Sequence, residues 1–172
     1  SAGAGLRVPA AGNRYNPNRS LAIEGRPASP GETRSAADVT VMPGYLETLR
    51  IALRAGRLLT SADGAGAPLV VVISETTARR YWPGTSPLGA RIRLGDEAPP
   101  NAWRTVVGIV GDVRNDDIDA PPVPQVYVPL AQRPSREMTI VARTAGDPLN
   151  HVAAARAVVA SVDPDQPLYE VK

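Results

Sequence analysis

The strongest hydrophobic pattern lies near the middle of the chain. Residues 70–73 are four β-branched residues in a row, which predicts a strand buried on both faces. Ser74 follows as a candidate N-cap, and Glu75 places negative charge in the first helical turn, where the helix dipole favours it. A short helix over 76–82 is then expected to end at Pro83, which cannot continue it.

Shorter apolar runs, separated by Pro and Gly, predict further strands. Residues 90–94 alternate polar and apolar side chains, which is typical of a half-buried strand. Gly108 and Gly111 lie within the Val- and Ile-rich run 104–113 and predict a bulge or the close approach of another backbone. Prolines around 125–129 predict an edge or end strand there. The predicted strands are residues 5–8, 21–25, 38–41, 70–73, 90–94, 104–113, 125–129, 138–143 and 167–171.

Two further helices are predicted towards the two ends of the chain. Residues 45–50 carry Leu side chains at helical spacing after the break at Pro43-Gly44. Asp147 is a candidate N-cap of the last helix, and Pro148 occupies its first position, where a missing N–H is tolerated. That helix presents one apolar stripe, which consists of Leu149, Val152, Ala155, Val159 and Val162.

The order of these elements predicts an α+β fold. Strand–helix units lie at both ends of the chain, and a mostly β stretch over about 88–130 lies between them. The core must be aliphatic, because the chain is 43% hydrophobic but has no Phe and only two Trp. The 18 Pro and 15 Gly predict many turns and long loops between the elements.

Charge and cysteine content exclude several functional classes. The net charge is only +2, and the basic residues, all Arg except Lys172, form no run or clustered face, so no nucleic-acid partner is expected. The absence of Cys excludes disulfides, thiolate metal sites and a Cys nucleophile. No apolar segment is long enough for a membrane span. The chain starts at Ser1 without a signal peptide, as a piece of a longer protein would.

Two groups of residues offer candidate chemistry. Asp112, Asp116, Asp117 and Asp119 are dense enough to suggest acid–base catalysis or a hard cation, but a solvated turn after a strand is the favoured interpretation. A small hydrolase that uses these acids stays open as an alternative. His151 is the only histidine and predicts a surface or partly packed residue rather than a metal ligand. No catalytic residue, cofactor site or metal site is therefore predicted.

The adjacent aromatic residues Tyr81 and Trp82 offer a second alternative. Exposed side by side, their rings would suit a carbohydrate- or cell-wall-binding module. At a helix end followed by Pro, however, such a pair more often fills a core, and burial would exclude the binding role. We therefore predict that both rings are buried.

Several motifs together resemble one known family. VMPGYLETLRIALRAGRLLT, VVVISETTARRYWPGTSPLGARIRL, TVVGIVGDVRNDDIDAPPVPQVYVPLAQ and MTIVARTAGDP with SVDPDQPLYEV resemble, in this order, the extracytoplasmic core domain of MacB-type, FtsX-like ABC transporter permeases. The resemblance covers about 38–171 and is closest to the orphan permeases of soil bacteria. The chain departs from the pattern mildly, with Ser74 in place of Asn and Leu46 in place of Phe.

The resemblance implies both a fold and a role. It implies a porter-like α+β part over 1–87, with 1–37 loosely assigned, a mostly β subdomain over 88–130, and a return to the porter-like part over 131–172. The domain would lie in the periplasm, outside the inner membrane, attached to transmembrane helices of a permease dimer. It would be catalytically inert and would transmit motion driven by a cytoplasmic ATPase.

The resemblance also names partners and structural residues. Relatives contact a periplasmic adaptor, a lipoprotein or a cell-wall hydrolase, and the chain termini would lie close together on the membrane side. The isolated domain is expected to be a monomer. The residues that the family motifs make structural are Pro43, Gly44, Tyr45, Glu75, Arg79, Tyr81, Trp82, Pro83, Gly89, Gly108, Gly111 and Asp112.

Overall fold

A computed structural model describes residues 2–5, 18–95, 102–113, 121–135 and 139–165 of the chain. The chain divides into a larger unit over Ala2–Val141 and a smaller unit that contains Ala142–Lys172. The strands are β1 (Ala2–Gly5), β2 (Asn18–Ile23), β3 (Ser35–Val41), β4 (Leu53–Gly56), β5 (Val70–Ser74), β6 (Arg91–Leu94), β7 (Arg104–Val110), β8 (Gln125–Pro129) and β9 (Thr139–Ala142). The α-helices are α1 (Tyr45–Thr48), α2 (Glu75–Tyr81) and α3 (Val152–Val162), with 3₁₀ turns at Leu130–Gln132 and Pro148–His151. This mixture of strands and helices confirms the α+β class.

Six strands of the larger unit form a closed ring of pairings. The order is β2-β6-β7-β5-β8-β3, and β2 also pairs with β3. The N–H of Leu21 donates to the carbonyl of Arg34 at 2.8 Å, whereas the carbonyl of Ser20 accepts from the N–H of Gly95 at 2.7 Å. Because successive residues of a strand direct their backbone groups to opposite edges, β2 lies between β3 and β6 and closes the ring.

The remaining strands extend this ring. β1 pairs with β3, and β9 follows β1 in the strand order. β4 pairs with the last residues of β7, while β6 pairs with the first residues of β7. β5 pairs in parallel with β7 and antiparallel with β8, so the sheet is mixed around β5.

The hydrophobic core lies on both faces of the sheet. All six ring strands and the end of α2 contribute to the first cluster, which consists of Leu21, Ile23, Ala36, Val71, Ile73, Tyr81, Trp82, Ile92, Leu94, Val106, Val126 and Val128. The second cluster consists of Val39, Val41, Tyr45, Leu46, Leu59, Val70, Val72, Val110 and Tyr127, around α1. Since β5 supplies residues to both clusters in alternation, the prediction that it is buried on both faces is confirmed.

The local signals around α2 act as the sequence predicts. The Ser74 hydroxyl accepts a hydrogen bond from the N–H of Thr77 at 3.3 Å and caps the helix. The helix ends at Tyr81 with Trp82 as its C-cap, and the following Pro83-Gly84 turn has a positive φ of 72° at Gly84. Glycine adopts this left-handed conformation without steric penalty.

Two strands of the sheet, β8 and β4, differ from the prediction. β8 is not an edge strand: it is fully buried between β5 and β3, because Pro124 precedes it and Pro129 is its last residue, so neither proline interrupts the ladder. β4 occupies Leu53–Gly56, a stretch in which no strand is predicted. Four residues with weak alternation give little strand signal on their own.

Several predicted boundaries also shift. β2 begins at Asn18 and β3 at Ser35, inside stretches predicted as loops, because pairing partners extend them. β7 ends at Val110 rather than at residue 113. α1 ends at Thr48 rather than at residue 50. The predicted strand 167–171, most of the strand 5–8 and both termini lie outside the described residues, and the subdomain boundaries at 87/88 and 130/131 remain predictions.

The smaller unit contains the last helix. The Asp147 carboxylate accepts from the N–H of Leu149 at 3.0 Å, which confirms the cap, although the first turn is 3₁₀. The predicted apolar stripe is not a core face in this unit, since α3 has no buried residue and Leu149 and Val162 are 63% and 83% exposed. Among the described helices, none has the length and hydrophobicity that a membrane crossing requires.

Candidate functional site

A carboxylate after β7 holds the start of α2. Asp112 accepts from the N–H of Thr76 at 2.7 Å, from the Thr76 hydroxyl at 2.8 Å and from the Arg79 guanidinium at 2.7 Å. Burial alone would raise the pKa of Asp112, but the hydrogen bonds from Thr76 and Arg79 together outweigh it and hold this pKa below its usual range. The prediction that Asp112 lies in a solvated turn is therefore wrong for this residue, whose side chain is only 16% exposed.

A second ion pair crosses from β4 to α2. Arg54 Nε lies 3.2 Å from Glu75 Oε2, and both side chains are substantially exposed. Such an exposed pair contributes little to stability. Its effect is positional, because it holds the Arg54 guanidinium beside Gly111, the residue that follows β7.

A pocket of about 460 Å³ opens beside these residues. Its polar groups come from Arg50, Arg54 and Asp112, and its apolar walls come from the segment after α1 and from Val113. This volume is within the range of small-ligand sites. The complete lining is Leu49, Arg50, Ile51, Ala52, Arg54, Gly111, Asp112 and Val113.

Arg50 enters this pocket from a left-handed backbone conformation. Its φ is 57°, the only positive φ of a non-glycine residue in the described part of the chain. The N–H of Ile51 donates to the Leu46 carbonyl at 2.9 Å and the N–H of Arg50 to the Glu47 carbonyl at 3.0 Å, which is a Schellman motif that ends α1. Gly usually occupies this position, and Arg costs about 1 kcal/mol more there.

The aromatic pair at the end of α2 is buried. Tyr81 and Trp82 are each 6% exposed, and their rings meet edge to face with centroids 6.4 Å apart. The Tyr81 hydroxyl donates to the Ser35 carbonyl at 2.6 Å and accepts from the Ser35 N–H at 3.0 Å. The prediction of a core role is confirmed, and the carbohydrate-binding alternative is excluded because neither ring face is available for stacking.

Gly108 allows two strands to approach closely. The register between β5 and β7 shifts by one residue at this point, which is the predicted bulge. A Cβ at Gly108 would lie 2.1 Å from the Arg57 carbonyl oxygen. Gly56 pairs with Gly108 across β4 and β7 and is equally confined, since a Cβ on Gly56 would lie 2.3 Å from the Val107 carbonyl oxygen.

The remaining motif residues lie at other points of the larger unit. Pro43 is exposed, and Gly44 precedes α1 with a φ of 86°. Tyr45 is buried in the second cluster, and this burial raises its pKa to about 12. Gly89 adopts a φ of 81° in the turn before β6. These residues shape turns and core, whereas Glu75, Arg79, Gly111 and Asp112 meet around the start of α2.

The other candidate groups do not assemble into a site in the described residues. Across those ranges, no group of three or more His, Cys, Asp or Glu side chains is placed to hold a metal ion. His151 is exposed in the smaller unit, as predicted. Asp116, Asp117 and Asp119 lie outside the described residues.

Sequence reasoning missed Arg50 and Arg54. The motif signals direct attention to α2, whereas these arginines belong to the segment after α1. The one sequence signal that could identify Arg50 is a basic residue at the position after the helix where Gly is usual. This signal can be used only if the end of α1 is known to within one residue.

Comparisons with known proteins agree with this architecture. The family model of MacB-like periplasmic core domains matches residues 10–162. The periplasmic region of MacB from Actinobacillus actinomycetemcomitans is similar with a TM-score of 0.59 and 17% identity, over 84% of this chain and 63% of that one. The chain thus spans less than two thirds of that region. A search of curated proteins gave no match.

Two further solved structures share the fold. A domain attributed to a permease protein from Porphyromonas gingivalis has a TM-score of 0.60 and 15% identity, over 96% of this chain and 70% of that one. The extracellular domain of the noncanonic ABC-type transporter YknZ from Gram-positive bacteria has a TM-score of 0.55 and 14% identity, over 96% of each chain. At these identities the likeness concerns the fold.

Proposed function

Since the chain belongs to the family of MacB-like periplasmic core domains, we propose that it transmits ATP-driven conformational change on the outer side of the membrane as part of an ABC transporter permease. In this proposal the parent permease dimerises through transmembrane helices. A cytoplasmic ATPase, fused or separate, supplies the energy. The domain passes the resulting motion to a partner or a substrate.

The observation that carries the proposal is the fixation of α2 at both ends. Asp112 ties its first turn to the end of β7 through Thr76 and Arg79. At the other end, Arg26 donates to the Tyr81 carbonyl at 2.8 Å, in addition to the contacts of the Tyr81 hydroxyl. A helix held in this way moves with its sheet, which a rigid transmitting element requires.

The closed ring supports the same role. On one side of β2, Arg19 lies 2.9 Å from Asp38 of β3. On its other side, Arg91 of β6 pairs with Glu24, the residue after β2. Asp38 is nearly fully buried and also binds Arg133, so the seam between β2 and β3 combines backbone pairing with a buried carboxylate. The ion pairs of the buried Asp38 resist opening of the ring between β2 and β3, whereas the exposed Arg91–Glu24 pair contributes little.

The family offers several partners for this domain. A periplasmic adaptor, a lipoprotein or a wall hydrolase would receive the motion, and the orphan-permease type would work without a tightly bound soluble partner. A pull-down from envelope extract, with the chain as bait, separates these branches. Enrichment of one of the three protein classes assigns the branch, and a clean negative with folded bait favours the orphan type.

Distance measurements in the complete permease test transmission directly. The chain has no Cys, so once any Cys elsewhere in the permease is replaced, spin labels can be placed at Arg80→Cys on α2 and at Glu32→Cys on the loop before β3. We expect ATP to change the distance between Arg80→Cys labels of the two protomers and to leave the distance between both labels within one domain unchanged. An ATPase variant that cannot bind nucleotide is the control. Equal inter-protomer distances with and without ATP would contradict the proposal.

A further inference from the structure

The pocket beside Arg50 combines a strained backbone with an unengaged cation. Arg50 is exposed, and among the described residues no hydrogen bond or ion pair of its guanidinium is found. Its strained position in the Schellman motif would suit Gly better, so the backbone conformation does not favour Arg at this position. This contrast directs attention to a ligand.

We propose that the pocket is a carboxylate-binding site in which Arg50 and Arg54 hold a monoanionic carboxylate and the apolar walls hold an adjoining aliphatic group. Arg54 uses Nε for Glu75, and its guanidinium lies against Gly111 at the pocket wall. Guanidinium groups bind carboxylates with charge-assisted, frequently bidentate hydrogen bonds. The site is independent of force transmission, because it requires only the folded chain.

The charges of the lining favour a monoanion. Asp112 belongs to the lining, but Thr76 and Arg79 occupy both of its oxygens. Arg54 is balanced by Glu75, so among the described lining residues Arg50 leaves one uncompensated positive charge at the pocket. A doubly charged phosphate would exceed this charge and would lie near the Asp112 carboxylate.

The shape and the walls favour an aliphatic neighbour for that carboxylate. Leu49, Ile51, Ala52 and Val113 form the apolar part of the lining. The volume of about 460 Å³ accommodates a few residues of peptide. Two sources share this chemistry, namely an acidic side chain within a peptide and a free terminal carboxylate next to an aliphatic residue.

Amide chemical shifts of the 15N-labelled chain provide the test. The probes are acetyl-Val-Asp-Val-amide, its Asn counterpart, acetyl-Val-Val with a free carboxylate, and inorganic phosphate. We expect saturable shifts at Ile51, Ala52 and Val113 with the Asp peptide or with the free carboxylate, and much weaker binding of the Asn peptide. A preference between the two carboxylates identifies the source.

Three variants complete the test. Arg50→Gln should weaken carboxylate binding about ten-fold through loss of a charge-assisted hydrogen bond. Arg50→Gly should do the same while raising the unfolding temperature, which separates lost binding from lost folding. Arg156→Gln on α3 is the matched control and should bind as the unaltered chain does. Absence of saturable shifts with both carboxylate probes, binding of the Asn peptide as tight as that of the better carboxylate probe, tighter binding of phosphate, or unchanged affinity of Arg50→Gln would each overturn the proposal.

Discussion

The helices α1 and α2 both follow a strand of the same sheet, but their ends are held differently. α2 has a side-chain cap from Ser74, a carboxylate at its first turn and two hydrogen-bonded groups of Tyr81 at its end. α1 begins after Gly44 without a side-chain cap and ends in a left-handed Arg50. The side chains of α1 pack into the second core cluster, but the turn that ends the helix is held by backbone hydrogen bonds.

The two helices therefore differ in how many of their polar groups remain available to bind another molecule. Around α2, polar groups are engaged within the fold, so the region favours a fixed geometry. Around the end of α1, strain and an exposed guanidinium remain beside an open pocket. Strained, incompletely engaged positions concentrate where proteins bind other molecules. The comparison therefore supports the proposals of a transmitting element at α2 and of a binding site at the end of α1.

The largest effect should come from the aromatic residue at the end of α2. Trp82→Ala is expected to lower the free energy of unfolding by about 3–5 kcal/mol, because it leaves a large cavity in the first core cluster. Urea denaturation measures this change. Trp103→Ala, at a half-buried ring under Arg93, is the control and should lose clearly less. Equal losses of unfolding free energy for both variants would show that the end of α2 is not packed more firmly than the surroundings of Trp103.

A smaller loss of stability is expected from a substitution where β4 pairs with β7. Gly108→Ala should lower the free energy of unfolding by about 2–3 kcal/mol, because the new Cβ would clash with the Arg57 carbonyl. Gly111→Ala is the matched control, since its nearest non-neighbouring atom would be 3.7 Å from the new Cβ. Thermal and urea unfolding of the pair should differ clearly. Similar stabilities would mean that β4 yields to added volume, as a loosely held strand does.

The carboxylate at the start of α2 predicts a dependence on pH. Asp112→Asn should lower the free energy of unfolding by about 1–2 kcal/mol at neutral pH, through weaker bonds to Thr76 and Arg79. The pKa of Asp112 is lower in the folded than in the unfolded chain, where it is about 3.9. Its contribution is therefore present above the unfolded pKa and is lost as the pH falls through the folded pKa.

Denaturation of both proteins between neutral and acidic pH checks this sign. The stability difference should shrink as the solution becomes acidic. Glu47→Gln, on the exposed side of α1, is the control and should change stability little at any of these pH values. A difference that grows at low pH would contradict the assigned role of Asp112.

The smallest predicted change in the free energy of unfolding is a gain in stability, at the end of α1. Arg50→Gly should raise the free energy of unfolding by about 1 kcal/mol, because Gly relieves the strain of the left-handed conformation. The mirror variant Gly44→Ala, at a φ of 86°, should destabilise by a similar amount. Thermal unfolding measures both. Destabilisation by Arg50→Gly would mean that the arginine contributes contacts to the fold, and the contrast between α1 and α2 would weaken.

The sequence predicts elements whose signals are local. The β-branched run of β5, the cap at Ser74 and the stop at Pro83 lie close together in the chain, so β5 and α2 follow from local preferences. The burial of Trp82 follows from the same stretch. The order of the predicted elements indicates the α+β class, the family resemblance implies the same class, and the match over residues 10–162 bears it out.

The missed features depend on contacts that are distant in sequence. β8 lies in the middle of the sheet because β3 and β5 pair with its two edges, and its flanking prolines cannot reveal those partners. Asp112 meets Thr76 only because β5 and β7 are parallel neighbours, which bring their ends to one side of the sheet. Arg50 becomes notable only once its φ is known.

The position of β2 has a consequence for how copies of this chain could associate. Among the described strands, β2 alone joins β3 to β6, so its withdrawal would open the ring and expose two unpaired strand edges at once. β3 pairs with Asn18–Ser20 and β6 pairs with Leu21–Ile23, and both halves of β2 could come from the same chain or from another. Exchange of β2 between two copies would restore every pairing, which makes this strand the natural element for domain swapping in concentrated solution.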